Sequence, residues 1–369
     1  MVEKTCYCPE FSIDTWKGQT IAEFESNPEE SNDVFEGDVK MDNSEEEKYL
    51  GDLITDDGSN SKNIKARKAK GFGIIDSIIS ILENTFFGPF FFEVSLILRD
   101  SLFLNSILLN SEVWYGVSKA EVEQLEIVDQ ALIKRIMEAP CSTPTPMLYL
   151  ELGCLPIRYI IMSRRIMYLH YLLTQDEDSL LSSFFHAQWE SPVPGDWTEQ
   201  VKKDLELLKL DLALEAIKVI SKDAFQKLVK VAIHKAAFVY LNSEKQKRDK
   251  VKHVEHRYLK LQPYLCPGEF EIKEAKLLFQ LRTKMVDVRE NFKNKYPDTM
   301  CPVCMGTCRD SQEHVLECSV LLLNCNIVAK NKVEYSWIYS MDVGQQAEVT
   351  RIFQTFWNLR KKFLDKDED

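Results

Sequence analysis

The chain has 369 residues, 45% of them hydrophobic and 11% aromatic, which is an ordinary globular composition and enough length for two or three packed units. Its formal net charge of -12 is concentrated in residues 1 to 47, with fourteen acidic and three basic side chains; the other 322 residues are nearly balanced, 43 basic against 44 acidic. A uniformly basic nucleic-acid binder is therefore excluded, although local basic clusters are not.

The opening MVEKTCYCPE lacks the apolar stretch of a secretory signal. The most apolar part, Phe72 to Tyr115, is broken by Asp76, Glu83, Glu93, Arg99 and Asp100, so it has no run of about 18 uncharged apolar residues for a membrane span. Cysteines without the regular spacing of secreted domains fit a reducing compartment, nucleus or cytoplasm.

Residues 1 to 47 hold sparse apolar anchors (Phe11, Ile13, Trp16), and the stretch from Glu23 to Glu47 is predicted to be disordered. Cys6 and Cys8 lack a nearby partner pair for a metal. Order is expected from Lys48, where Tyr49, Leu50, Leu53 and Ile54 precede Asp56, Asp57 and Gly58 as a strand and tight turn. The two aspartates belong to turn chemistry, because no third carboxylate is placed to complete a two-metal site. A helix from about Ser61 follows, with Ile64, Phe72, Ile75, Ile78, Ile79 and Leu82 at helical spacing. Its first turns carry Lys62, Lys65, Arg67, Lys68 and Lys70, the strongest basic cluster in the chain, for which phosphate is the natural partner and a solvated face the plainer one.

Gly88 and Pro89 precede a second apolar helix, Phe90 to Trp114. A third starts at a capping box of Ser118 and Glu121 and shows Val122, Leu125, Val128, Leu132 and Ile136 on one face. Three consecutive amphipathic helices make a small bundle. A short helix opens near Pro146 and stops at Gly153; a longer one starts near Pro156 and carries Arg158, Arg164, Arg165 and His170 within reach of phosphates, with packing as its first task.

Further helices are expected from Asp196, from Lys222 to Asn242 and from Ile272 to Asn291. Between the last two, Lys245, Lys247, Arg248, Lys250 and Lys252 offer a weaker phosphate option, and His253 and His256 are expected to face solvent. A final amphipathic helix carries Val349, Ile352, Phe353, Phe356 and Phe363. It is expected to pack on the body, with a protein partner as the alternative.

The stretch CPVCMGTCRDSQEHVLEC has the most specific spacing. Cys301, Cys304, His314 and Cys318 form C-x2-C-x9-H-x3-C, with imidazole and thiolate one helical turn apart: four ligands for a structural zinc with no open position for water. Scattered buried cysteines are the alternative, and Cys308 could replace Cys304 or His314 as a ligand.

The run YLGDLITDDGSNSKNIKARKAKGFGIIDSIISILE, the blocks from LRDSLFLNSILLNSEVWYGVSKAEVEQLEIVDQALIKRIMEAP through LELGCLPIRYIIMSRRIMYLHYLL, and the Cys-Cys-His-Cys motif together resemble the C-terminal part of non-LTR (LINE-like) retrotransposon reverse transcriptases. The resemblance spans nearly all of Tyr49 to Cys318. It implies a palm-end strand, a thumb gripping template and primer, and a zinc knuckle that holds RNA or DNA. The aromatic-x-Asp-Asp pair and upstream Asp that hold magnesium in such polymerases have no counterpart here, so neither a catalytic residue nor a magnesium site is expected.

The expectation is a mainly α fold, a thumb-like helical bundle preceded by a short β-hairpin and followed by a helical region and a small zinc knuckle. Its segments are an acidic arm with a palm-end remnant (1–47), the bundle (48–140), a helical connector (141–295), the knuckle (296–320) and a tail with the amphipathic helix (321–369). The implied function is that of a truncated reverse-transcriptase-like protein binding RNA or DNA, with a non-catalytic interaction protein or retroelement remnant as the alternative. A part in an active RNA-directed DNA polymerase would require a palm supplied by another polypeptide.

Overall fold

The computed structural model describes residues 35–36, 39–40, 46–49, 51–56, 58–85, 87–304, 308–325 and 333–365. Phe11, Ile13, Trp16, Cys6, Cys8, Leu50 and Asp57 lie outside them, as does most of the stretch read as disordered. The chain divides into two units, 1–47 and 48–369. In the first, β1 (Phe35–Glu36) pairs antiparallel with β2 (Val39–Lys40), Phe35 opposite Lys40 and Glu36 opposite Val39. Strands β3 (Glu46–Tyr49) and β4 (Asp52–Thr55) make a second two-stranded sheet with Gly51 at φ +90° between them; the turn expected after the strand follows β4, where Gly58 donates its N–H to the Thr55 carbonyl at 3.0 Å.

After β4 the regular elements among the described residues are helices, with one isolated antiparallel bridge between Met300 and Arg309. The apolar stripe of α1 (Ser61–Asn84) buries Ile64, Ile75, Ile78 and Leu82, and each such side chain contributes about 1.5 to 3 kcal/mol by leaving water. Gly71 lets α1 approach α4 (Lys119–Met137) closely, since a Cβ there would stand 2.9 Å from Val128. Helix α4 begins at the expected capping box, with the Glu121 N–H donating to Ser118 Oγ and the Ser118 N–H to Glu121 Oε2.

The second apolar segment departs from a single helix over Phe90 to Trp114. It consists of α2 (Phe91–Leu98), a π-helical turn at Arg99–Leu104 and α3 (Asn105–Ile107), and the chain then turns through Asn110 at φ +57°. The π turn carries Arg99, fully buried, which grips both oxygens of Asp129 at 2.7 Å and the Leu155 carbonyl at 2.8 Å; Tyr149 donates to the same carboxylate at 3.0 Å. A bidentate pair of this kind satisfies a charge that would be costly to bury alone.

Next come α5 (Thr145–Leu152), α6 (Ile157–Leu173), α7 (Leu180–Glu190), α8 (Trp197–Leu208), α9 (Leu214–Val219), α10 (Lys222–Gln246) and α11 (Ile272–Arg282). Then follow α12 (Gln312–Glu317), α13 (Ser319–Asn324) and α14 (Val343–Asp365). Helix α11 stops nine residues short of the expected Asn291. The reason is a Schellman turn: Lys284 adopts φ +53°, and the Lys284 and Met285 N–H groups donate back to the Leu281 and Gln280 carbonyls. Val349, Phe353 and Phe356 of α14 are buried, and Arg351 pairs with Glu274 of α11, so the apolar stripe read as a possible partner site is covered by the body. One continuous core joins α1 to α14 across segments 48–140, 141–295, 296–320 and 321–369.

At its centre is Glu151, fully buried at the end of α5. Its Oε1 accepts from His256 Nε2 at 3.1 Å and Arg282 Nε at 3.0 Å, and its Oε2 from Tyr264 at 2.9 Å. His256, expected at the surface, is instead an inward partner of this carboxylate, its side chain wholly shielded from solvent. Burial alone would raise the Glu151 carboxyl, but Arg282, His256 and Tyr264 outweigh it and hold it at about 2 against an ordinary 4.5. A depressed carboxyl stabilises the fold fully above its unfolded value and loses that contribution as it protonates. Stability to urea should therefore fall between about pH 5 and pH 2, and Glu151→Gln should flatten part of that slope; a parent equally stable at pH 5 and pH 3 would contradict this assignment.

Gly153 ends α5 at φ +67°, and a Cβ there would lie 2.0 Å from the Lys260 carbonyl carbon. Gly153→Ala combines a strained backbone with a clash against main chain. It should cost about 2 kcal/mol or more in denaturant titration.

Candidate metal centre

The four expected ligands converge. Cys301, Cys304, His314 and Cys318 bring their ligand atoms within 4.8 Å of one another, with Cys304 Sγ and His314 Nε2 at 3.5 Å. Local structure explains the convergence. Two backbone bonds draw the flanking segments together, Cys301 N to Cys308 O and Asp310 N to Thr299 O, both 2.8 Å. Ser311 then caps α12 by accepting the His314 N–H at 3.0 Å, which sets the first turn from which the imidazole projects. Cys318 closes α12 and stands at the N-cap of α13, so one residue fixes both the fourth ligand and the next helix.

Cys301, Cys304 and Cys318 are buried and His314 is half-buried. Cys308 is exposed and outside the convergent group; its contribution is the carbonyl that receives the Cys301 N–H. Burial pushes the Cys301 thiol up to about 11, against the pull of the Cys304 and Val303 N–H groups that point at its sulfur. Three thiols and an imidazole, enclosed and convergent, can hold a metal ion with every position filled by protein. This arrangement suits a structural ion.

The centre is built into the body. Asp310, fully buried, accepts from Arg360 of α14 at 2.8 Å and from the Arg289 N–H at 2.9 Å. Gln312 of α12 donates to the Leu281 carbonyl of α11 at 3.0 Å and accepts from Asn291 at 2.7 Å. Sequence reading missed these supports, since none has a spacing signature.

The basic residues divide between surface and interior. Lys62, Lys65 and Lys70 lie on the exposed side of α1, and Lys68 donates to Gln124. Arg67 does not stand with them. It is 4% exposed, pairs with Asp52 of β4, donates to Asn63 at 3.0 Å and lies over the Trp114 ring at 5.2 Å. Burial would raise the Asp52 carboxyl, yet hydrogen bonds from Asn110, Asn63 and Arg67 bring it below its ordinary value. Arg67 thus anchors the strand to the helix.

The basic residues of α6 are also engaged by other protein groups. Arg158 binds Glu126 at 2.6 and 2.8 Å, Arg165 binds Asp204 at 2.7 Å, Arg164 donates to the Leu108 carbonyl and to Asn105, and His170 meets the Ile220 carbonyl at 2.8 Å. Of the later group, Lys245 is buried against the Val254 carbonyl, Lys247 and Lys252 pair with Glu244 and Asp249, and Lys250 donates to the Asn291 carbonyl; Arg248 is exposed. No helix among the described residues is long and apolar enough to cross a membrane.

Reduced protein loaded with a divalent ion and desalted should retain about one ion per chain by elemental analysis. Cys304→Ser combined with Cys318→Ser should abolish retention, Cys308→Ser should not, and chelation should lower the melting temperature. Full retention in the double variant would remove the site. No protein-family model, curated protein or solved structure matches the chain.

Proposed function

We propose that this chain is a reverse-transcriptase-like, non-catalytic nucleic-acid-binding protein, in which α1 tracks a phosphate backbone and the metal centre is a zinc knuckle. The observation that carries the reading is the exposure of Lys62, Lys65 and Lys70 on one side of α1, while Arg67, Arg158 and Arg165 are held in internal pairs. Cations left at the surface are placed to replace the counterions of a nucleic acid.

Zinc is the ion favoured by the donor set. Two ligands of one tetrahedral zinc stand about 3.5 to 3.8 Å apart given its usual bond lengths, and the Cys304 to His314 separation of 3.5 Å fits that geometry. When bound, the ion would fold the segment and supply no open position for chemistry. Unpaired RNA or a primer-template duplex is the ligand class, and nucleus or cytoplasm is the compartment.

A second reading, an interaction protein, is favoured by exposed Leu180 and Phe184 on α7 with Val193 beyond it. Fluorescence anisotropy of the zinc-loaded protein with single-stranded RNA and with primer-template duplex, at two salt concentrations, separates the two. Binding should weaken as salt rises, and Lys62→Ala, Lys65→Ala and Lys70→Ala combined should make the log-log salt slope shallower by about two for a single strand. A folded parent that binds neither nucleic acid at low salt but self-associates independently of salt would favour the interaction reading instead.

A further inference from the structure

We infer a second contact for single-stranded nucleic acid where the loop 256–260 crosses α10, with Tyr258 as a stacking platform for an unpaired base and Lys227, Lys230, Arg257 and Lys260 as phosphate partners. This inference rests on the nucleic-acid reading above and adds to it a site for bases.

The juxtaposition is fixed by the backbone. His234, in the middle of the 25-residue α10, lies against the Leu259 main chain. That contact sets the loop beside the helix turn bearing Lys230, with Lys227 one turn earlier on the same side. The loop is tied down on both flanks of the tyrosine. His256 is bonded to Glu151, the Leu259 side chain is buried, the main chain at Lys260 presses against Gly153, and the Gln262 N–H donates to the Glu151 carbonyl at 2.9 Å.

Between these anchors Tyr258 stands 64% exposed, an aromatic ring that the fold leaves in water. The Lys260 ammonium lies 5.7 Å from the ring centroid, and Arg257 precedes the ring in sequence and is exposed. Among the described residues, Lys227, Lys230, Arg257 and Lys260 form no ion pair, whereas Lys218, Lys247 and Lys252 each hold a carboxylate.

A rigid loop loses little conformational freedom when it binds, which favours this arrangement over a mobile tyrosine at equal exposure. Every base has a π-face, so a platform flanked by cations accepts unpaired nucleotides with little sequence preference. A continuous duplex keeps its bases stacked within and offers the ring nothing comparable.

The test is anisotropy with the full metal-loaded chain, a labelled oligouridine and a duplex of equal length. Tyr258→Ala should weaken oligouridine binding about 5- to 150-fold with the salt slope unchanged, and Tyr258→Trp should retain binding. Duplex affinity should stay within about twofold, while Lys230→Ala with Lys260→Ala should reduce the salt slope. Parental oligouridine affinity in Tyr258→Ala overturns the inference, and if the α1 triple-lysine variant still weakens binding, the broader reading survives it. A folded parent that binds no oligonucleotide overturns both.

Discussion

A carboxylate with no access to water has to be answered by the chain itself, and the architecture is arranged around the answer given to Glu151. Its three partners arrive from separate places, His256 from the loop after α10, Tyr264 from a short turn and Arg282 from the end of α11. Arg282 reaches on to the Ile338 carbonyl at 2.8 Å and so draws the segment before α14 inward. Removing one member of such a set strands the others, a loss of about 3 to 5 kcal/mol for a buried pair. The same α11 terminus receives Gln312 from the helix that carries His314. The metal centre, the final helix and the middle of the chain therefore share one rigid support.

Charge in this molecule has two separate uses. Six of the thirteen arginines work inside: Arg67 with Asp52, Arg99 with Asp129, Arg158 with Glu126, Arg165 with Asp204, Arg282 with Glu151 and Arg360 with Asp310. The planar guanidinium can satisfy several acceptors at once, which makes it the cation of choice for a buried pair. Lysines on α1 and α10 remain largely at the surface, as compact charges that exchange counterions readily. In a chain whose total charge is -12, the sign of the whole says little about either face.

Local rules were easy to read in the sequence and long-range ones were not. The capping box at Ser118, the stop at Gly153 and the four metal ligands depend on residues close in sequence, and all stand where spacing placed them. The end of α11 went unread because a lysine, not a glycine, takes the left-handed position. The π turn went unread because hydrophobic spacing alone does not reveal one extra residue per turn. Arg67 looked like part of a basic face since its partner Asp52 sits in a strand fifteen residues earlier, and His256 looked exposed since Glu151 lies 105 residues away. Helical composition announces the elements; the pairing of buried charges, which decides which face turns inward, is set by contacts that no window spans.

The separation between Glu151 and its partners also bears on how the protein is made. Arg282 follows Glu151 by 131 residues, so at ordinary synthesis rates the carboxylate waits roughly 7 to 26 seconds for its guanidinium to emerge from the ribosome. In that interval α1, α4 and α6 have each other, with Arg99 already matched to Asp129 thirty residues on. Until His256, Tyr264 and finally Arg282 follow, 105, 113 and 131 residues later, the end of α5 has an incomplete answer for its charge and must stay hydrated. Nascent chains of this protein would thus hold an early N-terminal helical nucleus beside an open seam along α5, closing only when the segment leading to the metal centre arrives.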